Sequence, residues 1–261
     1  MSSVLRVRDG NGATWFIKRH GDAARYRAEL AAYRQWIPIL QDAAPRLRAS
    51  DDALHAVILS AAPGDAAPWP GANMHGSAVA GLAEQEIHRR AGRILRRLHD
   101  AQPPLPWPDF AASKIEQFGR LRPAATAILS RGELDRAARA VGALSTLPAP
   151  LRVPCHHDYT PRNWLVHDSA VCVLDFEWCG LDARVADFGR LHLAIWPDRL
   201  DLREAFLNGY GHALTATDQA LLHGCAVLTA TWLLVRAHDG GQPSFQEASR
   251  VSLLRIIGQA R

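Results

Sequence analysis

Between Cys155 and Glu177 a polar stretch, His156-His157-Asp158-Tyr159-Thr160-Pro161-Arg162-Asn163, runs into two short apolar segments, Trp164-Leu165-Val166 and Val171-Cys172-Val173, parted by His167-Asp168-Ser169. Two short β-prone runs around a polar turn predict an antiparallel hairpin. A turn centred near Ser169 sets Asn163 and Asp175 symmetrically about it. Their side chains are then expected at the same end of the hairpin, on the order of 5 Å apart at Cβ.

The same punctuation organises the rest of the chain. Val4 to Arg8 and Thr14 to Lys18 flank Asp9-Gly10-Asn11-Gly12, a hairpin signal because Gly and Asn accept positive φ. Asp22 to about Trp36 is a helical pattern with Tyr26, Leu30, Tyr33 and Ile37 on one stripe and Pro38 as its stop. Leu54 to Leu59 predicts a further strand, and the Pro-, Gly- and Ala-rich stretch from Ala66 to Gly76 a linker. Helices are expected from about Val79 to His99 and, with interruptions, from Ala112 to Leu147; a β-rich stretch covers Val153 to Leu174 and the remainder is mainly helical. The expected class is α+β and two-lobed: a small N-lobe of sheet plus helix over residues 1–64, and a larger, mostly helical C-lobe over 65–261.

An amide and a carboxylate side by side offer the hard oxygen ligands that Mg²⁺ takes, with water and phosphate completing its shell. Asp158, on the loop just ahead, is placed to accept or orient a hydroxyl proton. Nearer the start of the chain, Trp15-Phe16-Ile17-Lys18 supplies a strand lysine. Glu29, three residues after Tyr26 and four before Tyr33, lies beside the apolar stripe, where a carboxylate needs a partner. Lys18 is therefore paired with Glu29.

The spacing H-x-D-x-x-x-x-N followed by a strand ending in Asp resembles the catalytic and metal-binding loops of kinases. It is closest to the aminoglycoside phosphotransferase and choline kinase-like family, whose loop carries His-Gly-Asp with a Pro shortly before the Asn; here Pro161 precedes Arg162-Asn163, and His157 stands where that glycine is usual. The resemblance implies a kinase-like fold, Asp158 as catalytic base, Asn163 and Asp175 as metal ligands, and His156 bracing the loop. It supports Lys18 with Glu29 through Arg27-Ala28-Glu29, and makes Leu59-Ser60-Ala61-Ala62-Pro63-Gly64 the hinge, with the Ser60 carbonyl and Ala62 amide on adenine. It extends to Leu95-Arg96-Arg97-Leu98-His99 and to Asn208-Gly209-Tyr210-Gly211. The implied cofactors are ATP or GTP and Mg²⁺, and the implied acceptor is a hydroxyl of an aminoglycoside or other antibiotic, a sugar or an amino alcohol. With Lys18 opposite about Ser3, the family's phosphate-covering loop and first strand would precede Met1: either the start is late or the nucleotide is covered differently.

Other readings are weaker. A zinc site at Cys155-His156-His157-Asp158 fails because neighbouring strand residues face opposite ways. Asp187-Phe188-Gly189 imitates the metal-binding motif of protein kinases, but it precedes an apolar helical run, so Asp187 is expected to cap or anchor that helix; Glu177 is left between the metal shell and an outward-facing role. A protein kinase lacks support, since no Ala-Pro-Glu follows Asp175. The rival from another class is a nucleotide-binding module of the same fold without transfer.

Composition bounds the setting. With 48% hydrophobic residues in 261, a packed core is affordable. Four cysteines without a C-x-x-C pair indicate reduced thiols. The net charge of +4 comes from scattered arginines without a nucleic-acid module, and Asp198, Asp201, Glu204 and Asp239 read as solvated surface. The start shows no secretory signal, and the longest apolar run, near Ala226 to Val235, is judged too short for a bilayer. A cytoplasmic protein, monomer or homodimer, with no nucleic-acid or membrane partner is expected.

Overall fold

The computed structural model describes residues 2–68 and 83–258. In chain order the elements are β1 (Ser3–Arg8), β2 (Thr14–Arg19), α1 (Ala23–Gln35), β3 (Leu47–Asp51), β4 (Ala56–Ser60), β5 (Asp65–Ala66), α2 (Glu84–His99), β6 (Leu105–Pro106), α3 (Phe110–Ala125) and α4 (Arg131–Gly142). There follow β7 (Leu151–Cys155), β8 (Trp164–His167), β9 (Ala170–Val173), β10 (Gly180–Ala183), α5 (Gly189–Ala194), α6 (Leu200–Tyr210), α7 (Ala216–Asp239) and α8 (Pro243–Gly258). The class is α+β, as expected: small antiparallel sheets and a mostly helical remainder. The chain divides into two compact units, one of Met1–Pro104, Val153–Asp182 and Leu200–His212, the other of Leu105–Arg152, Ala183–Arg199 and Ala213–Arg261.

The first unit holds a four-stranded sheet in the order β1-β2-β4-β3. Its opening hairpin differs in register by one residue from the sequence expectation: Lys18 lies opposite Val4, and Ser3 opposite Arg19. The cause is the turn. Asp9 Oδ1 accepts the N–H groups of Asn11 and Ala13, and Asp9 N–H donates to Ala13 O, so the loop takes in Ala13 as well as the four residues that signalled it. Helix α1 starts where Asp22 accepts the Ala24 N–H at 2.7 Å, and buries Tyr26, Glu29, Leu30, Ala32 and Tyr33. Strand β3 was not foreseen, because Leu47-Arg48-Ala49-Ser50-Asp51 carries little apolar alternation and pairs with β4 through an irregular register.

Ala66, expected to open a linker, instead forms β5 with Asp65, which pairs with β8 in a second sheet, β5-β8-β9. Residues 69–76 of that expected linker lie outside the described residues. Gly64 makes this entry possible: it has φ +112°, and a Cβ there would sit 2.4 Å from the Val166 carbonyl oxygen.

Helices α2 and α6 cross at backbone contact, in the region of the two motifs singled out above. A Cβ on Gly209 would lie 1.8 Å from Arg89 O, and one on Gly92 2.1 Å from Phe206 O. Glycine inside a helix ordinarily costs about 0.5–1 kcal/mol relative to Ala. Here the clash decides the sign: Gly209→Ala is expected to destabilise the protein by roughly 3 kcal/mol, the upper end of overpacking costs, read as a lower urea midpoint at unchanged m. A midpoint equal to wild type would refute the close crossing.

In the second unit α7 packs with α3, α4, α5 and α8, and Leu105 and Pro106 pair with Arg152 and Leu151. Thr215 and Asp218 cap α7 reciprocally. The apolar run judged too short for a bilayer is part of this 24-residue helix, which is long and apolar enough by composition to cross one; 72% of its most apolar window is buried in the protein, the signature of a core helix.

Candidate active site

All the residues singled out for chemistry lie in the first unit. Hairpin β8–β9 pairs Trp164 with Val173 and Val166 with Val171, and the Leu174 N–H donates to Asn163 O at 2.8 Å. Asn163 is thus opposite Leu174, and Asp175 stands one residue beyond the symmetric position expected for it. Asp175 has φ +65°, a left-handed turn costing an L-residue roughly 1–2 kcal/mol. His157 adopts the same region, φ +64°, at the position where the family usually has glycine.

Asp158 and Asn163 meet directly. The Asn163 Nδ2 donates to Asp158 O at 2.9 Å and to Asp158 Oδ2 at 3.1 Å, and Arg162 lies 3.7 Å from Asp158 Oδ1. Both of these bonds use the amide nitrogen, and among the described residues no protein donor reaches Asn163 Oδ1.

Asp175 meets Lys18 instead. Lys18 Nζ lies 2.5 Å from Asp175 Oδ1, 3.1 Å from Glu29 Oε2 and 3.2 Å from Glu177 Oε2. Burial pulls the Lys18 ammonium down, but the charges of Glu29, then Asp175 and Glu177, outweigh it and push its pKa up to about 12. Glu177 does not face outward; it is buried against Lys18 and also takes a hydrogen bond from Ser2 Oγ at 2.8 Å and lies 3.4 Å from Arg25. His20 completes the cluster, its Nε2 2.7 Å from Glu29 Oε2 without the alignment of a hydrogen bond.

His20 and Arg25 escaped the sequence reading, and so did the pairing of Glu177 with Lys18. The one available signal was period two on a strand: His20 follows Lys18 by two residues and so shares its face.

Phe176 is fully buried between the Tyr33 ring of α1, 5.6 Å away, and the His156 ring, 5.0 Å away. His156 braces the loop through Leu174 O at 2.9 Å. At the hinge segment the Ser60 N–H donates to Arg46 O and Ser60 Oγ accepts the Arg46 N–H, both at 2.9 Å, which holds the end of β4 to the residue before β3; Ala62 lies in the irregular stretch that follows. Asp187 is buried in the second unit, but the N-cap position of α5 is Phe188, and no side chain caps it.

A model of the phosphotransferase enzyme family matches residues 2–223. The chain belongs to that family. No curated protein matches it. Among solved structures, a macrolide 2'-phosphotransferase from Brachybacterium faecium is similar at 17% identity and TM-score 0.61, over 96% of this chain and 87% of that one. A choline/ethanolamine kinase family protein from Mesorhizobium loti reaches 16% and 0.67, over 97% and 86%. An aminoglycoside phosphotransferase solved with GDP and kanamycin reaches 13% and 0.69, over 99% and 94%. These likenesses show the kinase-like fold of the family.

Within the family fold, the donor set fits a divalent cation. Asp175 keeps 38% of its side chain exposed, Asn163 Oδ1 has no protein donor among the described residues, and both are hard oxygens of the kind Mg²⁺ takes. The four cysteines are buried thiols outside any disulfide, and burial pushes the Cys172 thiol up to about 12, away from the nucleophilic thiolate.

Proposed function

We propose that this phosphotransferase family member is an ATP- and Mg²⁺-dependent O-phosphotransferase that moves the γ-phosphoryl group to a hydroxyl of a small molecule. The observation that carries the reading is the convergence of Lys18 on Glu29 and Asp175, with Asp158 hydrogen-bonded to Asn163 on the neighbouring loop. Asp158 orients the acceptor hydroxyl and takes its proton. Lys18, held by Glu29, would grip the nucleotide phosphates, and Ser60 and Ala62 of the hinge offer backbone groups to the base. Asn163 and Asp175 would hold Mg²⁺, which would neutralise the charge that develops on the transferring phosphoryl group. Positioning and charge neutralisation supply the rate.

Residues 1–64 serve the nucleotide in this reading and residues 65–261 carry the catalytic loop and the acceptor surface. GTP in place of ATP suits the same residues, and the setting we assign is cytoplasmic. The acceptor class is an antibiotic, a sugar or an amino alcohol.

The test is a screen of such acceptors with ATP, GTP and Mg²⁺, read as nucleoside diphosphate release. Acceptor-dependent release several-fold above the hydrolysis background is expected, and chelation of Mg²⁺ should abolish it. Nucleotide and Mg²⁺ binding by calorimetry, with no release across the panel, would make the chain a non-catalytic nucleotide-binding module.

A further inference from the structure

Two adjacent histidines precede Asp158, and the partners of their ring nitrogens set different protonation states. In His156, Nδ1 accepts the Asp158 N–H at 3.2 Å while Nε2 donates to the Leu174 carbonyl at 2.9 Å. One acceptor and one donor describe a neutral imidazole. In His157 both nitrogens face oxygen acceptors: Nδ1 is 2.7 Å from the Trp178 carbonyl and Nε2 is 3.2 Å from Asp182 Oδ2. A neutral ring has a single N–H, so one of these contacts would set a nitrogen lone pair against an oxygen lone pair.

We infer that His157 is an imidazolium that clasps the Asp158 loop to the segment after Asp175-Phe176-Glu177, and that it acts as a positioning residue for Asp158. The positioning role rests on the phosphotransferase reading; the clasp does not. The charges around the ring suit it. Asp182, its ion-pair partner, has a side chain only 11% exposed. Asp158 is the next residue and has Arg162 at 3.7 Å. Arg25 stacks 4.0 Å above the Trp178 ring and contacts Glu177.

The tethers bracket the acidic tripeptide. His156 holds Leu174, immediately before Asp175, and His157 holds Trp178, immediately after Glu177. The loop that carries the proposed base is thereby pinned at both ends of the segment that carries the proposed metal ligand. Glycine at 157 would take φ +64° with less strain but would supply neither bond. A side chain kept at a left-handed position, with both nitrogens engaged, is what a clasp requires.

Imidazole ¹⁵N correlation spectra of the full chain test the protonation state. At pH 7 both nitrogens of His157 should carry protons, against Nε2 alone in His156, and Asp182→Asn should shift the His157 resonances. Kinetics test the positioning role. His157→Gly relieves the backbone strain but removes the imidazolium paired with Asp182, so it should lower Tm, and it should lower kcat roughly 10- to 100-fold, the scale of a misplaced catalytic group, with nucleotide KM within about twofold. His157→Asn, which accepts the left-handed backbone and keeps a donor toward Trp178, should recover part of that loss. A neutral His157 ring overturns the clasp, and wild-type kcat in His157→Gly overturns the positioning role. If the wild-type chain transfers phosphoryl to no acceptor, the positioning role falls with the functional reading, and the ring nitrogens still decide the clasp.

Discussion

Asp158→Asn should lower acceptor-dependent turnover by roughly 10²- to 10⁴-fold, the range a positioned general base contributes, with Tm within a few degrees of wild type. The fold should survive because the bond from Asn163 Nδ2 to the main-chain oxygen of Asp158, at 2.9 Å, is untouched. The 3.1 Å bond to Oδ2 keeps an amide oxygen as acceptor in place of the carboxylate. Arg162, with 47% of its side chain exposed, loses an ion pair that solvent already screens. Nucleotide affinity should stay within a few-fold, since the substitution acts on the acceptor side. Steady-state kinetics with calorimetry of ATP binding separate these effects. Undiminished kcat would remove Asp158 from the chemistry, and a large drop in Tm would make its role structural.

Lys18→Met should cost roughly 3–5 kcal/mol of stability, the usual penalty for breaking a buried ion pair from one side, and should weaken nucleotide binding as well. The lysine is the shared counter-ion of three carboxylates, Glu29, Asp175 and Glu177, and its own side chain and those of Glu29 and Glu177 are each less than a tenth exposed. Methionine leaves Glu29 to His20, and Glu177 to His20, Arg25 and the Ser2 hydroxyl. Adding Glu29→Gln to Lys18→Met should return part of the loss, because it removes one of the stranded charges. The alkaline limb gives an independent check. The folded-state pKa of Lys18, about 12 against a model-compound 10.5, is raised, so its contribution is complete below pH 10.5 and disappears as pH climbs toward 12. That difference is worth about 2 kcal/mol. Wild-type stability should decline across this window more steeply than that of Lys18→Met. Equal urea midpoints and equal alkaline slopes in the two proteins would mean that the lysine is not paired as described.

How much of this was legible beforehand follows from the range over which each feature is decided. Helix α1 could be read because its start is a side-chain cap from Asp22 and its stop is Pro38, both local. The two hairpins could be read because turn residues separate short apolar runs. Their registers could not be read to the residue: the Asp9 side chain enlarged one turn by a residue, and the other closed on Leu174 in place of Asp175. In a strand such a slip changes which residue faces which, so it bears directly on the site.

The candidate site itself divides along the same line. The spacing from His156 to Asp175 is local and marked the loop, the base and the two oxygen ligands as candidates in advance. The Lys18–Glu29 contact was also within reach, since strand and helix are neighbours in the chain. Three features required the folded protein: Lys18 gathering Asp175 from 157 residues away together with Glu177, His157 and Asp175 bending into left-handed backbone, and the α2–α6 crossing that admits no side chain at Gly92 or Gly209. By itself the amino-acid order marked most of the elements and the candidate site residues, because caps, turns and periodicity act between near neighbours. The tertiary structure decided registers, left-handed residues and the partners of the buried charges, because those depend on packing and desolvation among groups that only folding brings together.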